Sequence, residues 1–104
     1  DDVHTVLVAE VELREEALIA GLKQRMLDSE NSYLSMLPAH RRADENVRDY
    51  CRIRAAAQAT LERTEEIIEE LAAAIRQRLP RVRHVTLEVE GIATAPAAAA
   101  DVPE

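Results

Sequence analysis

The 104-residue sequence has no Trp and no Phe, two Tyr, two Gly and a single Cys. The aromatic shortage restricts core bulk, because Tyr33 and Tyr50 are the only rings in a chain that is 47% hydrophobic. An interior built from Ala, Val, Leu and Ile has little bulk in so short a chain, so help from self-association is expected. With Gly21 and Gly91 alone there is no glycine-rich loop to cradle a phosphate, which excludes nucleotide chemistry by the known loops. The lone Cys51 cannot form an internal disulfide, and a cytoplasmic location is the default expectation. No apolar run approaches the roughly 18 residues that cross a bilayer, and the first residues lack the basic flank of a signal peptide. A membrane partner is therefore not expected.

Positive charge is also scarce, at 13 Lys and Arg against 20 Asp and Glu, a net −7. Phosphate backbones require a basic footprint, so nucleic acid is not an expected partner. The one basic grouping is Arg41, Arg42, Arg48, Arg52 and Arg54, interspersed with Asp44, Glu45 and Asp49. The most acidic stretch is Glu62, Glu65, Glu66, Glu69 and Glu70, whose like charges at i, i+4 each cost an isolated helix a few tenths of a kcal/mol. Such a stretch suits a solvated face or a basic counterpart, for which Arg14, Arg76, Arg78, Arg81 and Arg83 are candidates.

Periodicity supplies the architecture. Residues 5–11, T-V-L-V-A-E-V, alternate Leu7, Ala9, Val11 and Leu13 on one face, which predicts a strand. The same stretch also fits a helix carrying Leu7, Val11, Leu18 and Leu22. A helical period follows through Leu18, Leu22, Met26, Ser29, Tyr33 and Leu37, predicting a first helix over 13–37, with Gly21 marking a close contact or a weak point. Pro38 ends it and opens a second. Ala39, Ala43, Val47, Tyr50, Ile53, Ala57, Leu61, Thr64, Ile68, Leu71, Ile75 and Leu79 then keep unbroken three- and four-residue spacing. This predicts a single helix over 38–79, about 60 Å long at 1.5 Å per residue. Pro80 stops it, and Val85, Leu87 and Val89 alternate with Thr86, Glu88 and Glu90 in a second strand over 82–90, closed by Gly91. The Ala/Pro-rich residues 92–104 read as a flexible tail.

The segment Ile75 to Gly91, I-R-Q-R-L-P-R-V-R-H-V-T-L-E-V-E-G, resembles the closing helix and strand of the cytoplasmic domain of cation diffusion facilitator transporters. The likeness covers about a sixth of the chain. In that family a metal-binding His typically occupies the position of Glu88, and the two earlier strands expected there are not visible. It is a likeness of architecture and assigns no family.

The expected fold is therefore α+β and mostly α: a helical hairpin (13–37 and 38–79) with short terminal strands (5–11 and 82–90), forming one domain over 1–91. An all-α antiparallel hairpin is the alternative. The arms differ by about 17 residues, or roughly 25 Å, leaving part of the second helix for a partner to cover. The expected function is a non-enzymatic structural, assembly or adaptor protein acting as a homo-oligomer or a subunit of a larger complex. Its interface is expected at Leu61, Ile68, Leu71 and Ile75. Two alternatives are an acidic regulator that binds a basic protein site through residues 62–70, and a small-ligand or metal module using His4 and His84. No Glu-x-x-His pair supports a carboxylate-bridged metal centre, and no general base accompanies Cys51, so no cofactor, metal site or catalytic residue is assigned.

Overall fold

The computed structural model describes residues 5–93. The element order is β1 (Thr5–Arg14), α1 (Glu15–Ile19), α2 (Leu22–Ser35), α3 (Ala39–Arg42), α4 (Glu45–Arg78) and β2 (Val82–Ala93). The fold is α+β and mostly α, with 64% of the described residues in helices, one long helix and a two-stranded parallel sheet. The all-α alternative is overturned, because residues 5–14 form a strand. The described chain divides into two compact units, one containing residues up to Leu18 and from Thr64 onward, the other Ile19–Arg63.

In the first unit β1 and β2 pair in parallel, with Leu7 opposite Val85, Ala9 opposite Leu87, Val11 opposite Val89 and Leu13 opposite Ile92. These pairs carry the alternation legible in the sequence: Leu7, Ala9, Val11, Val85 and Leu87 are half-buried and Leu13 and Val82 are buried. The other face exposes Val6, Val8, Glu10, Glu12, Thr86 and Glu88. Both strands outrun their expected bounds. β1 continues to Arg14, so the expected helix over 13–37 starts later, and β2 continues past Gly91 through Ile92 and Ala93. The register slips between Val11 and Glu12, which sets Glu12 opposite Gly91 and lets the ladder run on. Residues 94–104 of the expected tail lie outside the described residues.

Both expected helices are interrupted, and each break has a local cause. The first is split at Gly21, which adopts φ 73° at the N-cap of α2. That left-handed conformation is strained for an L side chain, and open space surrounds the Cβ position, so Gly21 serves backbone geometry and not a close contact. The second is split at Asp44. Its Oδ1 accepts the backbone N–H of Asn46 at 2.9 Å and, more weakly, that of Val47 at 3.4 Å, which starts α4 afresh. Pro38 sits one position earlier than expected: it caps α3 in an extended conformation, and its carbonyl accepts the N–H of Arg41 and Arg42.

Within the second unit, side chains of α2 meet the first part of α4. Arg25 Nη1 lies 3.6 Å from Glu62 Oε2, and Arg52 Nε lies 3.5 Å from Glu30 Oε1. The Arg54 guanidinium stacks 4.5 Å from the centroid of the Tyr33 ring. The buried positions of α4 here are Cys51, Ala55 and Ala59, spaced four apart, with Ala55 and Ala59 only 1% and 0% exposed. A seam of such small side chains permits helix axes to approach near the lower end of the usual 8–10 Å range. The tightness of the seam is testable. Ala59→Leu should lower stability in urea unfolding by about 1–3 kcal/mol through overpacking, whereas Leu at the exposed Ala57 should change it little.

Candidate functional site

The burial of small residues on one side of α4 leaves larger ones on the other. Tyr50, Ile53 and Leu61 of the second unit are 65%, 69% and 55% exposed, with exposed Ala57 between them on the same stripe. In the first unit the stripe continues through Ile68 and Ile75, both half-buried, and Leu71, which is 37% exposed. Of the four residues expected at an interface, Leu61 is thus the most open and Ile68 and Ile75 are half-buried.

The acidic stretch is partly engaged. Glu62 is half-buried, pairs with Arg25 and accepts a hydrogen bond from Gln58 Nε2 at 2.9 Å. Arg25 was not among the arginines expected to face it, and Arg14, Arg76, Arg78, Arg81 and Arg83 form no ion pair among the described residues. Glu65, Glu69 and Glu70 are exposed.

Two surface clefts open in the second unit. One, of about 400 Å³, lies where α2, α3 and the start of α4 converge; Tyr33, Met36, Leu37, Val47 and Tyr50 supply its apolar lining. Its charged lining residues are Arg41 and Arg54, with Asn46 beside them. The other, of about 300 Å³, is lined by Ile19, Leu22, Met26 and Leu27, with Lys23, Glu30 and Arg52 completing it. Periodicity did not reveal the first cleft, because the break at Asp44 that brings α3 and α4 together is invisible to a pattern that runs through it unbroken.

The remaining candidates are dispersed. His84 is exposed on β2 opposite Val6 in the ladder, and His4 lies outside the described residues. Among the described residues no group of three or more His, Cys, Asp or Glu side chains could hold a metal ion. Glu88, at the metal-binding position of the transporter resemblance, is exposed and faces Glu10 across the sheet. No described helix is long and apolar enough to cross a membrane. Compared with protein-family models, curated proteins and solved structures, the chain matches none.

Cys51 is a free thiol, buried against the seam. Burial makes its chemical accessibility a readout of local opening in the second unit. A thiol reagent such as dithionitrobenzoate should label it at least tenfold more slowly in the native protein than in urea, followed by absorbance.

Proposed function

We propose that the chain is a non-enzymatic assembly protein that packs against a second copy of itself through the apolar stripe of α4. The observation carrying this reading is the exposure of Tyr50, Ile53 and Leu61 along one helix face. Covering a Leu or Ile side chain is worth about 1.5–3 kcal/mol, so a few such residues on each of two copies supply a useful driving force before association entropy is subtracted. Ile68, Leu71 and Ile75 extend the same stripe and complete the interface.

Each protomer is read as a helical hairpin. The contacts of α2 with α4 support it: Arg25 meets Glu62, whereas the later residues Glu30 and Tyr33 meet the earlier residues Arg52 and Arg54. Sequence position rises on one helix as it falls on the other, as antiparallel arms require.

Charge supports a second copy over an unrelated partner. The arginines from Arg48 to Arg54 precede the stripe's midpoint and the glutamates from Glu62 to Glu70 follow it. An antiparallel α4 from another protomer sets the basic end of each helix against the acidic end of the other, in an isologous arrangement. The acidic-regulator alternative draws on the same glutamates but leaves the apolar stripe uncovered.

Sedimentation equilibrium should give a mass of two or more chains, where a chain weighs 11.6 kDa. Leu61→Glu, at an exposed position, and Ile68→Glu should each shift the protein toward monomer by at least tenfold in the dissociation constant. A wild-type monomer at high micromolar concentration, or a Leu61→Glu protein that stays assembled, rejects this face; a monomer would favour the acidic regulator.

A further inference from the structure

We infer that the cleft at the α2, α3 and α4 junction is a binding site for a small organic anion with an apolar body, such as a short-chain or aromatic carboxylate. The cleft lies wholly within the second unit, where it shares Cys51 with the buried seam and Tyr50 with the exposed stripe, and a ligand held there is detected whether or not the chain self-associates.

Its volume of about 400 Å³ falls within the range of small-molecule sites, and the lining is mainly apolar and aromatic. The charge in that lining is of one sign. Arg41 and Arg54 contribute two guanidiniums, no carboxylate lines the cleft, and neither arginine forms an ion pair among the described residues. Arg25 and Arg52, by contrast, each have a carboxylate partner. The nearby Asp44 carboxylate is occupied by the backbone N–H groups of Asn46 and Val47.

The stacking of Arg54 on Tyr33 adds a preorganised element. The Arg54 guanidinium carbon lies over the Tyr33 ring, 4.5 Å from its centroid, and a cation resting on an aromatic face is restrained while its N–H donors remain available. Such a fork matches the two oxygens of a carboxylate, and holding it in place lowers the entropy lost on binding. Arg41 adds a second donor from α3, and Met36 and Tyr50 provide surface for an acyl chain or a ring. A neutral molecule of the same shape would leave both cations unmatched, and an inorganic anion would leave the apolar lining wet.

Octanoate and its neutral analogue octanol are suitable probes, titrated into the full chain and followed by calorimetry and by amide chemical shifts. Octanoate is expected to bind saturably with one site per chain, perturbing amides of Tyr33, Val47 and Tyr50, and at least tenfold more tightly than octanol. Arg54→Gln and Arg41→Gln should each weaken octanoate by about fivefold or more while leaving octanol unchanged, and Arg54→Lys should restore less than half of the loss. Equal affinity for the two probes, or no saturable binding by octanoate, would overturn the assignment. So would an affinity indifferent to both glutamine variants. Should either variant fail to fold, the comparison of octanoate with octanol on the unaltered protein decides alone.

Discussion

The seam of Cys51, Ala55 and Ala59 is the constraint on which the second unit depends. Small side chains bury little area each, so the ion pairs of Arg25 with Glu62 and of Arg52 with Glu30, and the placement of Arg54 over Tyr33, reinforce the seam. Choosing the small face for the interior has an unavoidable corollary. The bulky apolar residues of α4 must sit elsewhere, and Tyr50, Ile53 and Leu61 are turned outward. The exposed stripe and the tight seam are thus two aspects of one packing choice, made in a chain with no Phe or Trp to fill a wider gap.

The same choice shapes the cleft. Where the seam ends at Cys51, α4 has only about two further turns before Asp44 caps it, and the short α3, capped by Pro38, precedes that break. The space opened there is lined by longer side chains from three elements, among them the stacked pair of Tyr33 and Arg54. Three glutamates of the acidic stretch, Glu65, Glu69 and Glu70, remain in water.

The sequence made the element types legible and left their interruptions and pairings less so. Two-residue alternation identified both strands, and the Leu7, Ala9, Val11 and Leu13 face is the one the structure covers. That the strands run parallel was not legible, because alternation carries no information about the direction of a partner. The breaks at Gly21 and Asp44 had signals, a residue free to take positive φ and a residue suited to N-capping, but apolar spacing continued across both and outweighed them. The inward face of α4 was not legible for a related reason. Ranking positions by hydrophobic bulk favours Tyr50, Ile53 and Leu61, while the close approach of two helices selects for small size. The arginine stack needed tertiary placement, since Tyr33 and Arg54 are far apart in the chain and each looks ordinary in its own segment.

The parallel ladder also dictates an order of events as the chain is made. Thr5 pairs with Val82 and Arg14 with Ala93, so every rung joins residues more than seventy positions apart. The second unit, by contrast, is one uninterrupted stretch from Ile19 to Arg63. Closing the ladder carries the entropy of a long loop unless that loop has already condensed. During synthesis β1 emerges first and must wait, unpaired, until β2 has left the ribosome, while the intervening helices have everything they need to pack. A strand that waits with Leu7, Val11 and Leu13 uncovered exposes apolar surface that the folded sheet hides, and the speed with which the helices shorten that wait bears on how much of the protein reaches its native state.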